Sequence, residues 1–422
     1  MNLTWIKASP RMHLAGATTR RPEQRDSAMQ DHVAVGLGEQ AVGPDRLPLA
    51  ELVAEVAARR DEFDRLSHVP DDMIARMKLA GIFRAATPKR FGGDARAPAE
   101  FLAMVEAIAT ADGSAAWVAA FGSANTYLAA LPLETQAIVY ADGPDQVFAG
   151  GLYPLHPAQP VEGGVRVSGR WRFASGCMGA DWIGVGIQVE AGLSMPGARS
   201  SGSVYMAVCP ADEVEIVENW DVVGLTGTGS HDTRVTDKFY PIAWICGRGA
   251  VGIIDEPLFR YPPLSYQAEV HAAVNVGLAR AALDVVTEMA GGPKLMPGAA
   301  RLSDRAYFKS ELARGEAKWR SARAFFYESS ERAWDVLLAG DPVPRELENL
   351  LRLSATHAAH ASAEVVQQAY RIAGMGAIHK SHRLQQILRD CLVVTQHASL
   401  SEGTFEAAGA IFSGVMPGMP YP

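Results

Sequence analysis

His397, the last residue of Thr395-Gln396-His397, has the side chain best suited to proton transfer near neutral pH. Taken alone, it also reads as a helix-end histidine held by the C-terminal dipole. Trp117 and Phe121 stand four residues apart, a spacing that serves a core stripe or the wall of a substrate pocket. Two other histidine pairs, His357 with His360 and His379 with His382, lack the acidic or cysteine company of a zinc site, so no metal is expected. Cys177, Cys209, Cys246 and Cys391 lie far apart with no CxxC, which points to a reduced, cytoplasmic setting. Cys177 has no base beside it and reads as a strand thiol. Gly227-Thr228-Gly229 lacks the strand-turn-helix context of a dinucleotide site, and neither a Walker A sequence nor a GxSxG elbow occurs. A net charge of −8 provides no basic field for nucleic acid or an anionic membrane. No apolar run approaches the ~18 residues of a membrane span.

These residues need elements to hold them, and the pattern reads helix, strand, helix. Residues 1–28 form a disordered N-terminal extension, basic until Glu23 and without an apolar signal core. Residues 29–144 have a helical period: Leu52, Val53 and Val56 lead to Phe63 and Leu66. Pro70-Asp71-Asp72 and Pro98 open further helices, and a last one runs from Ser114 to Leu131. Residues 145–250 alternate short β-rich runs with turns, including a Gly163-Gly164 hairpin signal, and predict an antiparallel barrel. Residues 251–422 hold four long helices (267–289, 304–338, 345–373 and 384–397) with short glycine-marked connections, an antiparallel bundle. The class is α+β.

In this order the elements resemble the acyl-CoA dehydrogenase superfamily over nearly the whole chain. Gly169-Arg170-Trp171-Arg172-Phe173-Ala174-Ser175-Gly176 followed by Ala180-Asp181-Trp182 is similar to the family's strand pair against the flavin ring. Gly224-Leu225-Thr226-Gly227-Thr228-Gly229-Ser230 resembles a segment of one branch, the two-component flavin-dependent monooxygenases, as does Leu388-Arg389-Asp390 with Thr395-Gln396-His397. The helix through Gly277-Leu278-Ala279-Arg280 fits the superfamily's close-packed small-residue helix.

The resemblance implies FAD or FMN, bound between the barrel and the second helical domain by Phe173, Ala174 and Ser175, with Gly150 and Gly151 near the flavin's reactive edge. Arg305 and Phe308 match an R-x-x-F that reaches a cofactor across a subunit interface, and Gly374-Met375-Gly376 matches a turn near the neighbouring subunit's flavin. A homotetramer or homodimer follows. Trp117, Phe121, Asn125, Tyr127 and Tyr153 are the substrate-pocket candidates and His397 the catalytic one. No nicotinamide site is visible, so reduced flavin comes from a separate reductase, and the chain is the oxygenase component that hydroxylates a small aromatic or hydrophobic substrate with O2. The alternative is an acyl-CoA dehydrogenase passing electrons to an electron-transfer flavoprotein, with Glu402 of Glu402-Gly403-Thr404 as base. The usual companions of His397 are replaced: Leu392 stands where such hydroxylases place a histidine.

Overall fold

A computed structural model describes residues 46–189, 204–292, 300–418 and 421. The extension expected at 1–28 lies outside them. The first helical segment comprises α1 (Leu49–Leu66), α2 (Asp71–Leu79), α3 (Pro98–Ala111), α4 (Gly113–Ala120), α5 (Asn125–Leu128) and α6 (Leu133–Val139). Proline opens α3 at its first turn, where an absent N–H costs nothing, and Asp71 and Asp72 face the positive end of α2. Gly81, at φ +78, ends the turn after α2 in a conformation that side chains resist.

The helix expected to run unbroken from Ser114 to Leu131 is interrupted by a 3-10 turn at Phe121–Ala124. A Cβ on Gly122 would meet the Ile82 carbonyl at 2.3 Å, so the chain tightens where two backbones touch. Ser123 and Thr126 hydroxyls also donate to carbonyls three residues back, competing with the helical ladder.

The middle segment is a seven-stranded sheet: β1 (Phe148–Val161), β2 (Gly164–Trp171), β3 (Trp182–Val189), β4 (Val204–Pro210), β5 (Glu215–Val217), β6 (Asp232–Pro241) and β7 (Ile245–Gly247), in the order β5-β6-β2-β1-β3-β4-β7. The hairpin at Gly163-Gly164 pairs Val161 with Gly164. One expectation is corrected: β1 and β3 run parallel, so the sheet is mixed. Parallel neighbours require a crossover, and the chain makes it between Trp171 and Trp182. That crossover carries Phe173, Ala174 and Ser175.

The last segment contains α7 (Pro257–Arg260), α8 (Pro263–Ala290), α9 (Ala306–Leu338), α10 (Arg345–Ala373), α11 (Arg383–Val394) and α12 (Gly403–Phe412). One apolar core takes side chains from both helical segments, from Leu52 and Phe101 to Val366 and Ile387. α8 runs through its middle. By length and composition this helix could cross a membrane, which the sequence reading passed over, but 78% of its most apolar window is buried in the protein. The amide of Asn275 on α8 donates to the carbonyls of Ala359 (2.9 Å) and Cys391 (3.1 Å), tying α10 and α11 to it. That fixes the helix from whose end His397 projects.

Candidate active site

The crossover meets the glycine-rich loop before β6. The Gly176 N–H donates to the Thr228 carbonyl (2.9 Å) and the Ala174 N–H to that of His231 (3.0 Å). Between them the hydroxyls form a chain whose direction is fixed at both ends. Trp117 Nε1–H donates to Ser175 Oγ (3.1 Å), and Thr228 Oγ1 gives its hydrogen to the Leu225 carbonyl (2.8 Å). Ser175 must then donate to Ser230 (2.7 Å) and Ser230 to Thr228 (2.7 Å). Ser175 therefore keeps a lone pair, and not a hydrogen, for any ligand.

From Trp117 the row continues through rings. The His271 imidazole stacks on the indole at 4.3 Å, and His397 lies 4.2 Å from His271 and 5.5 Å from Trp117. Phe121 closes one side, 6.1 Å from His271. His397 caps the short turn Ala398–Leu400, and its Nδ1 accepts from the Ser399 N–H (3.3 Å) and faces the Ser399 hydroxyl (2.7 Å). A backbone N–H can only donate, so in the neutral ring the hydrogen sits on Nε2. Burial, reinforced by Arg248 and Arg352, pushes the His397 pKa down to about 4. His271 is pushed well below its ordinary value, first by burial and then by His397. At neutral pH both imidazoles are uncharged.

On the outer side of the crossover, Phe173 is 65% exposed at φ +64, edge-on to Trp220 at 6.2 Å. They line a cleft of about 610 Å³ with Arg170, Arg172, Asn219 and Ser230. An exposed aromatic held in strained backbone beside a polar cleft suits a flat, partly polar ring system. Ser230 belongs to both the cleft and the hydroxyl chain, so the site is continuous from cleft to histidines. A flavin fits these residues.

The other expected site residues fall in different places. Gly150 and Gly151 lie in β1, where a Cβ would meet the carbonyl oxygens of Gly184 (2.4 Å) and Arg172 (2.7 Å); sheet contacts alone require these glycines. Asn125 has its amide NH2 committed to the protein, while its Oδ1 is buried without a partner. The residue is fully buried and donates to Phe83 O (2.6 Å), Thr87 Oγ1 (3.0 Å) and Gln146 O (3.3 Å), holding the loop under α5. Phe308 is 1% exposed within the helical core, and Arg305 donates to the Tyr307 hydroxyl (3.3 Å). Gly374-Met375-Gly376 forms an exposed 3-10 turn. Tyr127 is acted on by the same two arginines as His397: burial lifts its pKa to about 12 against the pull of Arg248 and Arg352. Tyr153 accepts from Arg248 Nη1 at 3.1 Å.

Glu402, the base required by the dehydrogenase alternative, is 81% exposed and 3.6 Å from His360. A carboxylate in open solvent facing an imidazole is no α-proton base. Among the described residues, no group of three or more His, Cys, Asp or Glu side chains could hold a metal, and the four cysteines are buried free thiols. The sequence reading missed His271, Ser230, Trp220, Arg248 and Arg352. His271 had a signal: with Glu269 and Asn275 it is a polar intrusion in an otherwise apolar helix.

Comparison with known proteins agrees with this geometry. The acyl-CoA dehydrogenase N-terminal domain profile matches residues 49–136, and the C-terminal domain profile matches 269–402. Indole-3-acetate monooxygenase of Pseudomonas putida is 49% identical over 360 residues, 85% of this chain and 91% of that protein. The FADH(2)-dependent resorcinol hydroxylase oxygenase component of a Rhizobium strain is 32% identical over 265 residues, 58% of this chain and 63% of its own length. The crystal structure of 3-HSA hydroxylase from Rhodococcus sp. RHA1 superposes with a TM-score of 0.80 at 26% identity, covering 87% of this chain and 96% of that one.

The chain belongs to the acyl-CoA dehydrogenase superfamily. The relatives it matches along most of its length are named as monooxygenases and hydroxylases, and this chain lies with them. It is a flavin-dependent monooxygenase of the oxygenase-component type.

Proposed function

We propose that the chain hydroxylates an indole-type aromatic acid, using O2 and reduced FAD delivered by a separate flavin reductase. The carrying observation is the uninterrupted row from the Phe173 cleft through Ser230, Ser175, Trp117 and His271 to a neutral His397 with its hydrogen on Nε2. The P. putida relative's name supports the substrate, and the Rhizobium relative's name supports FADH2 and the component arrangement.

When bound, reduced flavin would supply the activation of oxygen. Phe173 and Trp220 would flank its ring, and the free lone pair of Ser175 would receive a ring N–H. His397 serves as an uncharged hydrogen-bond donor: its Nε2–H can be shared with a reacting oxygen while the proton stays on the ring, so no cation is placed beside two arginines. Ser399 holds the ring in that tautomer. Trp117, Phe121 and His271 pack into a largely water-free wall, and excluding water keeps reactive oxygen for the substrate.

The oligomer belongs to the same proposal: a homotetramer or homodimer in the cytoplasm. α9 and α10 form an antiparallel pair, so the start of one and the end of the other share an end of the bundle. There Tyr307, Met375 and Ile378 are 52%, 72% and 49% exposed, an apolar patch suited to a second copy and its flavin.

The test mixes reduced FAD, labelled 18O2 and indole-3-acetate with the protein and follows the label. One labelled oxygen in a hydroxylated product is expected. Unlabelled product, or flavin reduction by an acyl-CoA without O2, would sink the reading.

A further inference from the structure

Two arginines act on His397, and neither forms an ion pair among the described residues. Arg352 projects from α10, and its Nη2 donates to the carbonyl of Ser399 (3.2 Å), the same residue that orients His397. Its Nε is buried without a hydrogen-bond partner, and the Tyr421 ring lies 5.6 Å from its guanidinium. Arg248 follows β7 and reaches the Tyr153 hydroxyl at 3.1 Å, its guanidinium over that ring at 5.7 Å. Both act electrostatically on His397 and on Tyr127, which places them on one pocket.

Other partly buried arginines show what is missing. Arg280 pairs with Asp284 and Glu316 at 2.8 Å each, and Arg323 pairs with Glu106 at 2.7 Å. Neither Arg248 nor Arg352 forms an ion pair among the described residues, although Glu348, one turn before Arg352, attracts it. Burial pulls the Arg352 pKa down, and the positive Arg248 pulls it further. A largely buried guanidinium without an ion pair, with a second, exposed arginine beside it, is costly unless something anionic arrives. Arginine is suited to a carboxylate because its planar fork meets both oxygens at once.

We propose that Arg352, assisted by Arg248, receives the carboxylate of the aromatic substrate and makes the enzyme selective for short-armed aryl acids over the neutral ring. This rests on the monooxygenase reading above and adds the residues that define its substrate class. The carboxylate at the arginines and the ring beside His397 and Trp117 would place the substrate between the anion site and the flavin cleft. That cleft has an arginine of its own in Arg172, with Arg170 held by Asp232 at 2.6 Å, so a flavin phosphate does not need the Arg352 pair.

The test measures binding of indole-3-acetate and of 3-methylindole, its counterpart without the carboxylate, to the flavin-free protein by calorimetry. Arg352→Leu should weaken indole-3-acetate about 10- to 100-fold more than 3-methylindole, the range expected for losing a charge-assisted fork. Arg248→Gln, at an exposed position, should act in the same direction by a few-fold and guards against misfolding of the first variant. Arg352→Lys should restore part of the discrimination. Equal losses for both ligands, or a loss seen only in FMN or FAD affinity, would overturn the proposal. Because binding is read without turnover, an inactive protein that still discriminates would refute the monooxygenase reading and leave the anion site standing.

Discussion

His397 and Asp390 come from one stretch of sequence and meet the same loss of water, with opposite consequences. Burial pushes the imidazole down to about 4 and the carboxyl up to about 8, so both are uncharged at neutral pH. Their surroundings then assign different work. Asp390 Oδ1 accepts the buried Leu225 N–H at 2.7 Å, pinning the glycine-rich loop to α11 where Gly224 touches the Arg389 carbonyl. Next to it Asp112, raised to about 6 by burial, caps α4 through the Ala115 N–H (2.8 Å) and accepts from Gln386 (3.0 Å). That cluster joins a loop to two helices, with Asp390 Oδ2 left buried and without a hydrogen-bond partner. His397 has Nδ1 tied to Ser399 and stands among the rings of Trp117 and His271. Neutralisation by burial is common to both; the neighbours, backbone in one case and aromatic rings in the other, separate structure from function.

The largest break in the comparison is a pair of alanines. His397→Ala should lower product formation about 10²–10³-fold, the usual worth of one positioned hydrogen-bond donor at a reacting oxygen, and divert O2 to hydrogen peroxide with the melting temperature almost unchanged. Asp390→Ala should destabilise the fold by roughly 1–3 kcal/mol, the cost of an orphaned buried N–H, with a smaller effect on chemistry. Product and peroxide assays beside urea titrations separate them; a stable but inactive Asp390→Ala would erase the distinction.

Stability against pH gives a second separation. The raised Asp390 binds its proton more tightly when folded, so its contribution is full below about 4 and is lost as pH rises towards 8. His397 has the opposite sign: its contribution is present above 6.5 and is lost as pH falls through about 4. Asp390→Asn should flatten the decline between pH 6.5 and 8 by up to about 1.4 kcal/mol per pH unit. Glu269, raised to about 8 by burial, keeps a slope of the same sign in that variant. His397→Gln should flatten only the acid side. Chemical denaturation across pH 4–8 checks both, and exchanged phenotypes would contradict the assigned shifts.

The smallest effect expected is at the cleft. Ser175→Val removes the middle of the hydroxyl chain and the lone pair offered to the flavin, and should weaken reduced-flavin affinity several-fold. An unchanged titration would remove Ser175 from the cofactor site and leave the cleft aromatics to hold it.

The helices were legible because their signals are local. The boundaries of α10 and the course of α8 and α9 follow from apolar period, an opening proline and closing glycines. His397 was legible through its motif. The interruption after Ala120 was not, since it depends on Gly122 meeting a carbonyl from another loop. Asn125 was misplaced for a related reason: a buried amide and a pocket amide look alike until their partners are known.

The sequence by itself determined the order of helix, sheet and helix, the motif carrying His397, and the crossover segment that holds Phe173 and Ser175. Tertiary structure alone decided that β1 and β3 run parallel, that Phe308 faces the core, and that His271, Arg248 and Arg352 join His397. Periodicity and turn chemistry act between residues a few positions apart. Desolvation, stacking and the pairing of charges depend on which distant side chains share a space, and that is settled only when the chain has packed.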